Sequence, residues 1–148
     1  MTRMAMIGCG TMAGAYLRQM EMLADRLHFT AFVDVDLSRA EAAAASSTVA
    51  SGAVASTELD EVLDEMDAAV VAVPHDLHRD YAVKLLDAGK HVLIEKPLAN
   101  TEAECLDIIA AADRTRMVAM HGYVMRYTPI VRELLRLIRD REYGECFH

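Results

Sequence analysis

Short apolar runs alternate along the chain with longer segments whose apolar residues recur at helical spacing. The runs are continuously apolar, which is typical of strands in a parallel sheet that helices cover on both faces. Strands are predicted at 4–7, 29–34, 53–55, 69–73, 92–95 and 117–120. Helices are predicted near 12–26, 38–46, 57–65, 76–88 and 101–113. This alternation predicts an α/β domain.

Residues at the ends of these segments support the same pattern. Gly89 follows the fourth predicted helix, where a glycine commonly ends a helix in the left-handed conformation. Thr101 and Glu104 have the spacing of a capping box at the start of the next helix. Because β-α-β crossovers are right-handed, the pattern predicts a doubly wound parallel (Rossmann) sheet with a crevice at the carboxyl ends of its strands.

The first predicted strand runs directly into a glycine-rich loop, GCGTMAG. Gly8, Gly10 and Ala13 occupy the three small-residue positions of a dinucleotide-binding fingerprint. Gly8 permits a tight turn, Gly10 lets the backbone approach a pyrophosphate, and Ala13 lets the next helix pack closely on the strand. The free N–H groups at the start of that helix favour phosphate. Cofactor contacts in this loop are expected from Gly8, Cys9, Gly10, Thr11 and Met12.

An acidic residue ends the second predicted strand. Asp34 lies about 20 residues past the loop, where a carboxylate accepts hydrogen bonds from the adenosine ribose and repels a 2′-phosphate. Its position favours NAD over NADP. Arg39 lies near enough along the chain to pair with a 2′-phosphate, so NADP remains the alternative cofactor. Asp36 is the alternative acid for the ribose, although it lies past the strand end.

Composition excludes several classes of protein. A chain of 148 residues with a formal net charge of −8 has the size of one domain and does not suit a nucleic-acid partner. No apolar run approaches the ~18 residues that a membrane helix needs. The three cysteines are odd in number and far apart, which fits neither a disulfide framework nor a zinc site. Such cysteines fit a reducing compartment, so the sequence predicts a cytoplasmic protein. No third ligand is placed to join His75 and His78, so no metal site is predicted.

Glu95, Lys96 and Pro97 stand at the end of a predicted buried strand. One interpretation is an ordinary surface ion pair, which contributes about 0–1 kcal/mol. The other is a pair of charges that face a bound molecule. The glycine loop and Asp34 favour the second interpretation, because the carboxyl ends of parallel strands meet at one edge of the sheet.

With these features, the chain resembles the Gfo/Idh/MocA oxidoreductases, which act on sugars, inositols and related compounds. The matching segments are MIGCGTMAG, VVAVPHDLHRDYAVKLLDAGKHVLIEKPLA and HGYVMRYTP, which extend from Met6 to Pro129. The stretch AGKHVLIEKPLA is the most specific of them. The resemblance implies reversible hydride transfer between a nicotinamide cofactor and a secondary alcohol of a sugar, an inositol or a related compound.

The resemblance also implies roles for individual residues. Lys96 would be the catalytic lysine, Glu95 would bind the nicotinamide ribose, and Pro97 would follow a cis peptide bond. Protonated Lys96 would polarise the substrate oxygen while a histidine of a second domain takes the proton. Further cofactor contacts would come from Val73, Pro74, His75, His78 and Arg126. Family members commonly have Thr-Pro-Asn where this chain has Val73, Pro74 and His75.

Family members are considerably longer than this chain. We therefore expect a dinucleotide-binding domain at 1–122, followed at 123–148 by a linker helix and the first strand of a truncated α+β substrate domain, read from YGECFH. The fragment is expected to bind cofactor without turnover, and the full-length protein to form homo-oligomers that act on a sugar or polyol. The alternatives are a non-catalytic nicotinamide-nucleotide sensor or structural module, and a methyltransferase-like fold, which has no use for Glu-Lys-Pro.

Overall fold

The computed structural model describes residues 1–50 and 52–145. Its strands are β1 (Thr2–Ile7), β2 (Leu27–Val33), β3 (Val54–Ser56), β4 (Ala68–Val71), β5 (His91–Ile94) and β6 (Ala119–His121). Its α-helices are α1 (Thr11–Met20), α2 (Leu37–Ser46), α3 (His78–Asp87), α4 (Glu102–Thr115) and α5 (Pro129–Arg139). Short 3₁₀ helices lie at Glu21–Leu23, Leu59–Glu65, His75–Leu77 and Val124–Tyr127.

The six strands form one parallel sheet in the order β3-β2-β1-β4-β5-β6. This order confirms the predicted doubly wound α/β fold. The chain leaves β1 towards one edge of the sheet and returns to build the other half from β4 onwards. The order of strands therefore reverses beside β1, and ligands of such sheets bind in the crevice at that point.

Two buried layers flank the sheet. Met6 of β1 packs with Leu17 of α1 in one layer, while its neighbour Ile7 packs with Leu85 of α3 and Ile108 of α4 in the other. Successive side chains of a strand point to opposite faces, so a continuously apolar strand supplies both layers. This burial of both faces holds the carboxyl ends of the strands in fixed positions.

A bulge in β2 departs from the simple strand pattern. Met4 pairs with Phe29, but the next residue of β1 pairs with Ala31, which leaves Thr30 as an extra residue. Phe29 and Phe32 therefore enter the same buried layer, with ring centroids 5.6 Å apart. The strand's hydrophobicity predicts its burial but not this irregularity.

The structure confirms the predicted signals at the ends of two helices. Gly89 lies just beyond α3 with a φ of 74°, the left-handed conformation in which a glycine commonly ends a helix. The hydroxyl of Thr101 accepts from the backbone N–H of Glu104, and the Glu104 carboxylate accepts from the N–H of Thr101. The predicted capping box therefore begins α4.

Two predicted helices differ in extent or type. The segment predicted near 57–65 is the 3₁₀ helix Leu59–Glu65, with Leu59 and Val62 as its buried residues. The helix predicted near 12–26 ends as α1 at Met20 and continues only as a 3₁₀ turn. In the first case the apolar spacing indicated the buried residues, and a 3₁₀ segment buries them equally well. In the second case the 3₁₀ turn Glu21–Leu23 contains no buried residue.

The segment after β6 carries α5, none of whose residues is buried. The strand predicted from YGECFH falls partly on 146–148, which lie outside the described residues, and 143–145 form no strand. The division between 122 and 123 stays a prediction. Among the described residues, no helix is both long and apolar enough to cross a membrane.

Candidate functional site

The two glycines of the loop after β1 meet different surroundings. Gly8 has a φ of 89°, and a Cβ built on it would lie 2.6 Å from the carbonyl oxygen of Ala72, just past β4. Its backbone N–H donates to the carbonyl of Val33 at 2.8 Å. Gly10 is the N-cap of α1, and a Cβ there would meet nothing within 4 Å. Gly8 is therefore required by the protein itself, whereas Gly10 leaves open space at a helix N-terminus.

The carboxylate of Asp34 is tied to the glycine loop. One of its oxygens accepts from the backbone N–H of Cys9 at 2.7 Å, and the other accepts from the N–H of Asp36 at 3.0 Å. Each carboxylate oxygen retains acceptor capacity, so hydroxyl groups of a ligand can bind the same group. Burial and the charge of Asp34 raise the pKa of the Cys9 thiol to about 12, so Cys9 stays protonated and is no nucleophile.

A cavity of about 350 Å³ opens at the carboxyl ends of β1, β2 and β4. Eight of the predicted cofactor residues line it: Gly8, Gly10, Thr11, Met12, Asp34, Arg39, Val73 and Pro74. Arg39 is 62% exposed, and its Nε lies 3.6 Å from a carboxylate oxygen of Asp36. The guanidinium thus lies beside Asp36, the alternative acid for the ribose, and Arg39 lines the same cavity as Asp34.

A second cavity, of about 240 Å³, adjoins the first at Met12, which lines both. Glu95 and Lys96 line it together with Tyr16 and Gly122. Glu95 is only 7% exposed. One of its carboxylate oxygens accepts from the hydroxyl of Tyr16 at 2.8 Å, and the other accepts from the backbone N–H of Lys96 at 2.8 Å. The carboxylate is therefore fixed by hydrogen bonds from two directions.

Lys96 is exposed, and within the described ranges its ammonium forms no salt bridge. The Glu95–Lys96 sequence is therefore not the surface ion pair that was the alternative interpretation. The peptide bond between Lys96 and Pro97 is cis, as the resemblance implied. The ammonium is left free to meet a ligand in the second cavity.

Five of the predicted residues, namely Cys9, His75, His78, Pro97 and Arg126, line neither cavity. His78 is fully buried, and its ring nitrogens lie 2.8 Å from the carbonyl oxygen of Pro97 and 3.1 Å from that of Val73. It braces the two segments that follow β4 and β5. His75 and Arg126 are exposed. No cluster of three metal-ligating side chains occurs in the part of the chain that the structure describes.

Sequence reasoning missed several residues that line the cavities. Tyr81 and Leu77 lie in the first cavity, and Tyr16 and Gly122 lie in the second. A signal existed for Tyr16, because it stands four residues after Met12 and so shares its helix face. Gly122 directly follows β6, at the strand end where this fold places its ligands.

Comparisons with known proteins show the family of the chain. The family model described as "Oxidoreductase family, NAD-binding Rossmann fold" (GFO_IDH_MocA) matches residues 2–123. The chain belongs to the Gfo/Idh/MocA family. It is 34% identical over 143 residues to inositol 2-dehydrogenase 2 of Saccharopolyspora erythraea, a match that covers 95% of this chain and 41% of that protein. The chain thus spans about two fifths of the length of this relative.

Solved structures show the same relationship. The WlbA dehydrogenase from Chromobacterium violaceum, in complex with NADH and UDP-GlcNAcA, superposes with a TM-score of 0.89 at 26% identity, over 97% of this chain and 41% of that one. A variant of KijD10, a 3-ketoreductase from Actinomadura kijaniata in complex with TDP-benzene and NADP, gives 0.83 at 25% identity, over 97% and 45%. Complexes with NADH and with NADP thus both occur among these neighbours.

The residues present fit a dinucleotide. Gly10 leaves open backbone at the N-terminus of α1, where a pyrophosphate binds. Asp34 lines the same cavity with a carboxylate, the kind of acceptor that ribose hydroxyls require. The chain is an NAD-binding Rossmann domain.

Proposed function

We propose that this chain is the cofactor-binding part of an oxidoreductase that interconverts a secondary alcohol and a ketone on a polyol or sugar. The observation that carries the proposal is the pair of adjoining cavities. One holds the glycine loop and Asp34, and the other holds Glu95 and Lys96. The inositol dehydrogenase and the UDP-GlcNAcA complex among the similar proteins support the substrate class.

The two acidic residues divide the binding of the dinucleotide. Asp34 accepts hydrogen bonds from the ribose of the adenosine half in the first cavity. Glu95 accepts them from the ribose of the nicotinamide half in the second, because its buried carboxylate lines that cavity, which adjoins the first at Met12. Bound NAD supplies a hydride acceptor at C4 of its nicotinamide ring.

Lys96 acts on the substrate oxygen. Its ammonium donates a hydrogen bond to that oxygen and stabilises the negative charge that develops there. The hydroxyl proton must also leave as the ketone forms, and a positioned base is worth about 10²–10⁴-fold in such a step. Tyr16 is not that base at neutral pH, because burial and its hydrogen bond to Glu95 raise the pKa of the phenol well above its ordinary value.

The natural full-length protein that contains this sequence provides the test. We expect it to reduce NAD with myo-inositol or with another member of a polyol and sugar panel. Lys96→Met should lower kcat by about 100-fold or more, while the Kd for NADH changes less than about threefold. Lys84→Met is the matched control, since that exposed lysine pairs with Asp60 away from both cavities.

Two results would contradict this assignment. One is unchanged turnover in the Lys96→Met protein, which would remove the catalytic role of the lysine. The other is tight NADH binding without turnover of any compound in the panel. That second result would favour a nicotinamide-nucleotide sensor or structural module.

A further inference from the structure

The hydroxyl of Tyr16 joins two segments that are far apart in sequence. Tyr16 lies on α1 and donates to a carboxylate oxygen of Glu95, just past the end of β5, at 2.8 Å. A third segment, at Gly122 just past β6, lies next to the same hydroxyl. A Cβ built on Gly122 would lie 3.0 Å from the Tyr16 Oη and 3.0 Å from the carbonyl oxygen of Ile94. Glycine at 122 therefore keeps the space in which the phenol reaches the carboxylate.

This hydrogen bond fixes the orientation of the Glu95 carboxylate. The backbone N–H of Lys96 donates to one carboxylate oxygen of Glu95. With that hydrogen bond alone, the carboxylate could still rotate about it. The phenol holds the other oxygen, so the plane of the carboxylate is set by both contacts. Each oxygen still has acceptor capacity for a ligand hydroxyl. Tyr16 therefore helps to set the direction in which the carboxylate can accept a ligand hydroxyl.

We propose that Tyr16 is a positioning residue that orients Glu95 to accept hydrogen bonds from the nicotinamide-side ribose of the dinucleotide. This proposal rests on the function proposed above. Tyr16 acts through Glu95, since its own hydroxyl is committed to the carboxylate. The raised pKa of the phenol keeps it protonated, and so a donor, at neutral pH.

The test compares two ligands in the 148-residue chain. NADH carries the second ribose, whereas ADP carries only the half that binds the first cavity. Tyr16→Phe removes one hydroxyl and keeps the ring, so we expect the Kd for NADH to rise about five- to tenfold and the Kd for ADP to change less than about twofold. Tyr143→Phe makes the same change on a tyrosine that is 84% exposed, and should change neither.

A double-mutant cycle separates a positioning role from a structural one. Glu95→Gln weakens NADH binding by itself, and adding Tyr16→Phe to it should cause no further loss, because both changes affect one interaction. Additive losses, an unchanged Kd for NADH in Tyr16→Phe, or equal losses for NADH and ADP would each overturn the proposal. These outcomes concern Tyr16 alone, whereas absence of turnover in the full-length protein would count against the proposed function and not against Tyr16.

Discussion

Two glycines in one short loop illustrate how different the requirements at single positions are. Gly8 adopts a left-handed conformation and packs its Cα against the backbone after β4. Gly10 has an ordinary negative φ, and the space beside it is empty of protein atoms. The sequence pattern treats both glycines alike, but the structure shows that the fold requires Gly8, whereas Gly10 borders open space.

Alanine at these two positions should therefore affect different properties, stability at Gly8 and NADH binding at Gly10. Gly8→Ala should lower the free energy of unfolding by about 2 kcal/mol or more, through a strained φ and a clash with Ala72. Gly10→Ala should change stability by less than about 0.5 kcal/mol and weaken NADH binding about tenfold, or about 1.4 kcal/mol. Urea unfolding and NADH titration measure the two effects. Equal destabilisation by both changes would show that this distinction is wrong.

Some contacts of single residues could not be predicted from the sequence. Asp34 and Lys96 were predicted as site residues because a motif fixes their distance from a glycine loop or a strand end. Tyr16 and Glu95 meet across 79 positions of sequence. His78 was predicted to face the cofactor but is buried between two backbone carbonyls. Contacts of this kind depend on side-chain packing, which a linear pattern does not specify.

Among the elements, those with strong local signals were predicted best. The start of α4 was located by its capping box, and the end of α3 by Gly89, because both signals are backbone requirements within a few residues. The segment Leu59–Glu65 was predicted as a helix and is 3₁₀. Its type depends on how a short segment fits between β3 and β4, and therefore on tertiary packing.

The capping box itself can be tested by a pair of substitutions. Thr101→Ala removes the hydroxyl that accepts from the N–H of Glu104, so we expect a loss of about 1 kcal/mol in the free energy of unfolding. Thr101→Ser keeps an equivalent oxygen and should retain most of that stability. Chemical denaturation of the three proteins gives the comparison. Alanine and serine variants of equal stability would contradict a capping role.

For the whole molecule, the topology was the most predictable level. Continuously apolar strands and right-handed crossovers leave few arrangements, and the observed strand order is the one expected for a dinucleotide-binding sheet. The placement of the glycine loop, Asp34 and Glu95 at one edge of the sheet follows from that order. The division of the site into two adjoining cavities does not follow from it, because cavities depend on the volumes of the side chains around them.

The pairing of Arg3 with Asp67 predicts part of the acid response of the whole chain. Hydrogen bonds from Arg3 lower the pKa of Asp67 from 3.8 to about 2. A folded-state pKa below the unfolded value means that the pair stabilises the fold above pH ~4 and that this contribution is lost as the pH falls towards 2. Asp67→Asn should therefore flatten the decline of Tm between pH 4 and 2. Substitution of the exposed Asp113 by Asn is the control, and identical acid profiles for all three proteins would contradict the assignment.

The central claim is that the two adjoining cavities hold one nicotinamide dinucleotide. Calorimetric titration of the 148-residue chain with NADH tests it most directly, with S-adenosylmethionine as the comparison ligand. We predict saturable binding of one NADH per chain, competition by ADP, and no binding of S-adenosylmethionine. Absence of saturable NADH binding, or binding of S-adenosylmethionine in its place, would contradict the account.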